Sequence, residues 1–218
     1  MSEQAEIDVV CFDLGRVLVR TCRSWAECFE KAGLDVPMVL RGEKRGAVQA
    51  AIDPLIEKNE RGEIDQETYY AGVAEHLGIT RGDMDLVNRS FLQGKFEGAN
   101  ELLAELAGVD GVALACLSNT NIFHWEMVHD AGGLCGLRMD CFRHKFASHE
   151  LGVRKPRDEA YRKSQRQMGG CAGRVLFFDD VQENVEAAIR CGWRAERIMS
   201  RDNPVAEIRS VLSGYGIL

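Results

Sequence analysis

Apolar positions along the chain fall into two patterns. Short continuous runs, "IDVVCF" (7–12), "GVALACL" (111–117) and "RVLFF" (174–178), show no polar alternation. A strand covered on both faces reads this way, because successive side chains point to opposite sides and both sides are buried. "HKFAS" (144–148) and "RAERI" (194–198) are weaker runs of the same kind. Between them lie stretches with helical spacing of their apolar residues: "GANELLAELAG" (98–108), "NIFHWEMVHDAG" (121–132), "RDEAYRKSQRQMG" (157–169), "QENVEAAIRCG" (182–192) and "NPVAEIRSVLSG" (203–214). Each closes at or near a glycine, a common helix stop. The alternation of strand and helix predicts an α/β fold, a doubly wound parallel sheet of Rossmann-like kind.

Residues 21–96 break that rhythm. They hold no convincing strand and four helical patterns, "SWAECFEKAG" (24–33), "GAVQAAIDPLIEKNERG" (46–62), "DQETYYAGVAEHLG" (65–78) and "DMDLVNRSFLQG" (83–94). The expected organisation is an α/β core built from 1–20 and 97–218, with an inserted helical cap subdomain at 21–96.

Composition narrows the class. The chain has 218 residues, enough for one large domain with an insert, and 45% apolar and 28% charged residues are ordinary for a globular protein. A net charge of −7 argues against a nucleic-acid surface. No apolar run approaches the length of a membrane span. "MSEQAEID" at the N-terminus lacks the basic and apolar regions of a secretory signal. The eight cysteines form no C-x-x-C pair, so reduced, buried thiols in a cytoplasmic protein are expected. No feature bears on the oligomeric state.

In an open parallel sheet, ligands bind beyond the carboxyl ends of the strands. The first strand is followed by Asp13-Leu14-Gly15, the second by Ser118-Asn119-Thr120-Asn121, "FASHELGV" by Arg154-Lys155-Pro156, and "VLFF" by Asp179-Asp180. These types fit phosphoryl chemistry. A carboxylate can attack phosphorus and form an acyl phosphate. Its approach to another anion requires a divalent cation, and Asp13, Asp179 and Asp180 offer hard oxygens suited to Mg²⁺. Ser118 and the amides around Asn119 open a helix, where N–H groups favour phosphate. Lys155 offsets the crowd of oxygens. Taken singly, each has an ordinary reading. Asp13 is a turn acid, Asp180 caps the helix near Gln182, Ser118 or Asn119 caps the helix at Ile122, and Lys155 is a surface lysine. Their joint order at successive strand ends predicts one site.

At these residues the sequence resembles the haloacid dehalogenase-like (HAD) hydrolase superfamily over nearly its whole length. "FDLGRVL" is similar to the first motif, "LSNTN" to the second, "RKP" to the third and "FFDDVQENVEAA" to the fourth. The insert is placed like that family's first cap type, and "ERGEIDQETYYAGVAEHLGI" resembles the cap of sugar-1-phosphate phosphatase relatives. The resemblance implies Asp13 as nucleophile and Ser118 with the Asn119 backbone as the phosphate site. It implies Lys155 as the charge-balancing lysine, Asp180 as a direct metal ligand and Asp179 beside the metal. Asn184 stands where many members carry a second acid, which implies an outer supporting role. The backbone carbonyl of Gly15 would complete the metal's protein ligands.

Two positions depart from the family pattern. Most phosphatases of the superfamily carry an aspartate two residues after the nucleophile, as acid and base; here that residue is Gly15. General acid–base help is worth about 10²–10⁴ in rate. Relatives with the same "FDLG" resemble active enzymes, so the expectation is a substrate with a good leaving group, such as an anomeric sugar phosphate or an acyl phosphate. Arg16 replaces the usual small residue; it is either a clamp for a second phosphate or carboxylate, or a solvated turn residue.

The reading is therefore a Mg²⁺-dependent phosphatase for a small phosphorylated metabolite. One alternative is a 2-haloacid dehalogenase, in which the same aspartate attacks carbon without metal; the adjacent Asp179 and Asp180 argue against it. The other is a non-catalytic binding protein, suggested by Gly15 and Arg16. His124 and His129, five apart, suit a shared metal poorly, and Cys141, His144 and His149 fit no zinc spacing. Trp25, Tyr69, Tyr70 and His76 in the cap are either substrate contacts or core.

Overall fold

The computed structural model describes residues 6–130 and 132–218. Residues 1–5 of the polar N-terminal stretch, and position 131 within the expected helix at 121–132, lie outside them. Strands β1 (Val9–Phe12), β2 (Val19–Thr21), β3 (Leu92–Lys95), β4 (Ala113–Ser118), β5 (His144–Ala147), β6 (Val175–Asp179) and β7 (Arg194–Arg197) form two sheets. The larger has order β5-β4-β1-β6-β7 and every pairing in it is parallel.

The continuous apolar runs are explained by burial on both faces. In β1, Val10 and Phe12 enter one core layer, while Val9 and Cys11 enter the other. β4 repeats this with Leu114 and Cys116 against Ala115 and Leu117, and β6 with Leu176 and Phe178 against Val175 and Phe177. Helices α5 (Ala99–Ala107) and α10 (Pro204–Gly214) cover the first face through Leu102, Leu106, Ile208 and Leu212. Helices α8 (Asp158–Met168) and α9 (Gln182–Arg190) cover the second through Tyr161, Ala187 and Ala188. The chain runs outward from β1 through β4 to β5, then returns to β6 on the other side. The strand ends diverge at β1, and this switch point opens the crevice.

Between β2 and β3 lie α1 (Trp25–Lys31), α2 (Arg45–Glu60), α3 (Gln66–Leu77) and α4 (Arg81–Arg89), which close on a core of their own around Phe29, Ile52, Tyr70, Leu77 and Met84. Local signals set the boundaries: Asp65 accepts from the Thr68 N–H, and Thr80 with Asp83 forms a capping box. One expectation is corrected. The helical pattern at 83–94 stops at Arg89, and Leu92–Lys95 is a strand, antiparallel to β2. The pair β2–β3 carries both chain crossings between the helical insert and the sheet. The eight cysteines are free thiols, and no described helix is long and apolar enough to cross a membrane.

Candidate active site

The turn after β1 folds back at once. The Leu14 carbonyl accepts from the amides of Leu18 and Val19 at 2.9 and 2.8 Å, and the Arg16 N–H donates to the Val19 carbonyl at 2.7 Å. Arg16 sits at φ 61°, in the left-handed region where a small residue is the easy choice. Asp13 is thereby held at the mouth of the sheet. Its Oδ1 accepts from the Leu14 N–H at 2.7 Å and faces Lys155 Nζ at 3.1 Å. Its Oδ2 has no hydrogen bond among the described residues.

Lys155 joins the chain ends of three strands. Its side chain is 1% exposed, and its ammonium donates to Asp179 Oδ2 at 2.7 Å. Asp179 is itself 0% exposed, and it accepts from Asn184 Nδ2 at 3.0 Å on both oxygens and from the Val181 N–H at 2.8 Å. Asp180, beside it, meets Arg16 Nη1 at 3.6 Å. Asp13, Asp179 and Asp180 each present a carboxylate oxygen within 4.8 Å of the other two, the one such His/Cys/Asp/Glu group among the described residues.

Burial sets the proton affinities. It raises the Asp13 carboxyl to about 7; Asp179 and Asp180 push the same way and Lys155 opposes them. Asp180 is raised by burial and by Asp179. Burial alone would lower Lys155, but Asp13 and Asp179 reverse this and hold it firmly charged. Asp13 and Asp179 share the buried ammonium and Asp180 meets the half-exposed Arg16, so three carboxylates face two cations and the cluster is short of positive charge. Hard oxygens in that deficit suit a small divalent cation.

The ordinary cap readings fail on geometry. The helix α6 (Ile122–His129) is capped by Asn121, not by Ser118 or Asn119, and α9 is preceded by Val181 with no side-chain cap from Asp180. Ser118 ends β4 and lines the same 170 Å³ cavity as Asp13, Gly15, Asn119 and Asp180. The Asn119 side chain does something the sequence did not reveal. Its Nδ2 donates to the Lys155 carbonyl and its Oδ1 accepts from the Lys155 N–H, both at 2.9 Å. Ser148, which opens the short helix α7 (Ser148–Leu151), pins Thr120 similarly, accepting from its N–H at 2.9 Å and donating to its carbonyl at 3.0 Å. Glu60, at the end of α2, also lines this cavity and was not foreseen.

The remaining candidates separate. His129 Nδ1 lies 2.9 Å from the Trp125 carbonyl, and His149 Nδ1 3.2 Å from that of Thr120. Cys141 and His144 line neither cavity of the crevice. Tyr70 is buried with its hydroxyl against Asn88, and His76 faces solvent. Trp25 and Tyr69 line a second cavity of 340 Å³, which shares Arg16, Glu60, Phe91 and His124 with the first.

A family model described as haloacid dehalogenase-like hydrolase matches residues 7–192. The chain belongs to the haloacid dehalogenase-like hydrolases. No curated protein matches it. Among solved structures, a HAD family enzyme from Bacteroides thetaiotaomicron is 23% identical, with TM-score 0.75 over 89% of this chain and 94% of that one. The same enzyme in complex with magnesium and inorganic phosphate is 24% identical, with TM-score 0.72 over 88% and 94%. The L-2-haloacid dehalogenase from Xanthobacter autotrophicus with covalently bound chloropropionic acid is 19% identical, with TM-score 0.58 over 95% and 83%. These likenesses share the fold. Within this HAD hydrolase, the four motif-bearing strand ends converge on the crevice just described.

Proposed function

We propose that this HAD hydrolase is a Mg²⁺-dependent phosphatase for a small phosphorylated metabolite, with sugar 1-phosphates as the leading substrate class, working in a reduced, cytoplasmic setting. The observation that carries the reading is Asp13. One of its oxygens is fixed by Leu14 and Lys155, and the other is left open beside a charge-deficient acid cluster. In the proposed reaction Asp13 Oδ2 attacks phosphorus and the ester bond breaks, giving an aspartyl phosphate that water then hydrolyses. Ser118 and the Asn119 amide hold the phosphate oxygens, and Lys155 fixes the nucleophile while balancing its charge. Asp13, Asp180 and the Gly15 carbonyl would hold Mg²⁺, with Asp179 beside it and Asn184 fixing Asp179. When bound, the ion neutralises the repulsion between carboxylate and phosphate. Arg16 would clamp a second anionic group of the substrate.

The test is hydrolysis of 4-nitrophenyl phosphate with and without Mg²⁺, and of a sugar 1-phosphate against its 6-phosphate. Turnover only with metal, lost in Asp13→Asn, together with a phosphorylated enzyme trapped by acid quench, is the expected result. Chloride release from 2-chloropropionate in the presence of a chelator would instead make it a dehalogenase. Silence across a phosphate panel with saturable ligand binding would make it a binding protein.

A further inference from the structure

The 170 Å³ cavity holds Asp13 and Ser118 on the sheet side and Glu60, from α2, on the cap side. In an in-line displacement the leaving oxygen departs away from the nucleophile, towards the cap. Gly15 offers no proton there. Setting aside Asp13 and Asp180, the cavity's titratable side chains among the described residues are Arg16, His124 and Glu60. Arg16 is permanently charged. His124 is engaged at both ring nitrogens, Nε2 lying 3.0 Å from the Asn88 carbonyl and Nδ1 3.4 Å from Asn121 Nδ2. Its proton therefore sits on Nε2, committed to Asn88.

Glu60 is left. Its Oε2 is buried and makes no aligned hydrogen bond, although Arg154 Nη2 stands 3.0 Å away. Arg154 also meets Glu57 at 3.4 Å, so its charge stays paired when Glu60 takes a proton. The groups that bear on Glu60 are Arg154 and Lys155 from the core and Glu57 and Tyr69 from the cap. Burial outweighs them and raises its carboxyl above the usual glutamate range.

We propose that Glu60 is the general acid and base of this enzyme, supplied by the cap in place of the missing aspartate at position 15. The inference rests on the phosphatase reading. As Asp13 forms its bond to phosphorus and the ester P–O bond breaks, the leaving oxygen takes the Glu60 proton and departs as the alcohol. The Glu60 carboxylate then takes a proton from the water that attacks the aspartyl phosphate, releasing phosphate and restoring Asp13. Sugar 1-phosphates keep the advantage of their better leaving group, and unactivated alkyl phosphates become slower substrates beside them.

The test compares an alkyl phosphate, such as glycerol phosphate, with 4-nitrophenyl phosphate, whose leaving group needs little protonation. Glu60→Gln is expected to slow the alkyl ester by about 10²–10⁴-fold, to slow the aryl ester less than about tenfold, and to remove the alkaline limb of kcat/KM. A Cβ at position 15 would meet only Thr21 Cγ2, at 3.6 Å, so Gly15→Asp in the Glu60→Gln background is expected to restore alkyl ester turnover. Arg154→Gln keeps the acid and removes its opposing cation; it is expected to move the alkaline limb to higher pH and to retain the alkyl ester. Equal slowing of both esters by Glu60→Gln without rescue, or an unmoved limb in Arg154→Gln, would overturn the proposal and leave Glu60 as a cap latch. A wild type inactive on the aryl ester, or an active Asp13→Asn, would overturn the phosphatase reading itself.

Discussion

Lys155 puts a buried ammonium between Asp179, which water does not reach, and Asp13, which opens only to the crevice. Breaking such a buried arrangement by removing one partner costs about 3–5 kcal/mol, because the stranded charge stays buried. Lys155→Met is therefore expected to lower the unfolding free energy of the metal-free protein by about that amount in urea titration, and Mg²⁺ is expected to restore part of it. Asn119→Ala, which frees the Lys155 backbone from its two-point clamp, is expected to cost less, on the order of 1–2 kcal/mol. Asp13 sets a second, pH-dependent prediction. Its carboxyl titrates near 7 without a cation, and a proton competes with Mg²⁺ for the same oxygens. Apparent Mg²⁺ affinity by calorimetry should rise as pH increases towards 7 and flatten above it. In Asp13→Asn the part of that slope near pH 7 should vanish, leaving only the share from Asp180, whose carboxyl burial and Asp179 also raise.

Helix α2 enters the crevice through its last turn, and the backbone after it passes close to the core. A Cβ on Gly62 would stand 2.7 Å from the His149 carbonyl, and Gly62 has φ +68°. Gly78 shares the left-handed conformation at φ +66° but has nothing within 4 Å. Gly78→Ala should cost only the conformational term, about 1–2 kcal/mol. Gly62→Ala should cost visibly more in thermal unfolding, and it alone should depress kcat/KM by displacing the cap end that bears Glu60. The contrast shows what the sequence could tell. β1, β4 and β6 were legible because both faces are buried, which leaves an unbroken apolar run. β3 was not, because Leu92–Lys95 contributes only Leu92 to the core and pairs with β2 across a long stretch of chain, Thr21 with Leu92 and Val19 with Lys95. Asp13, Ser118, Lys155 and Asp179 were legible as strand-end positions, which the sheet's topology brings together. Glu60 was not, since a residue inside "NERGE" faces the crevice only once the cap's seating on the core is known.

The molecule has two cores in the sheet domain and a third in the cap, so its behaviour depends on how cap and core are joined. Beyond the β2–β3 crossings, Arg154 pairs with Glu57 and Glu60 across the joint, and His124 on α6 reaches the Asn88 carbonyl of α4 while stacking on Phe91 at 5.0 Å. His124 makes the joint sensitive to acid. Burial lowers its pKa from 6.5 to about 4. In the unfolded chain the ring protonates first as pH falls, so the neutral form's contribution is full above 6.5, declines as pH drops, and is gone below about 4. The size is on the order of 3 kcal/mol. The stability difference between wild type and His124→Gln, measured in urea at pH 7.5 and again at pH 4.5 without metal, should shrink by about that amount. Because Asp13 titrates in both proteins, its own effect cancels in the difference. A difference that stays constant over this range would mean that the ring takes up its proton without loss, and that the joint around Asn88 has room for a charged imidazole.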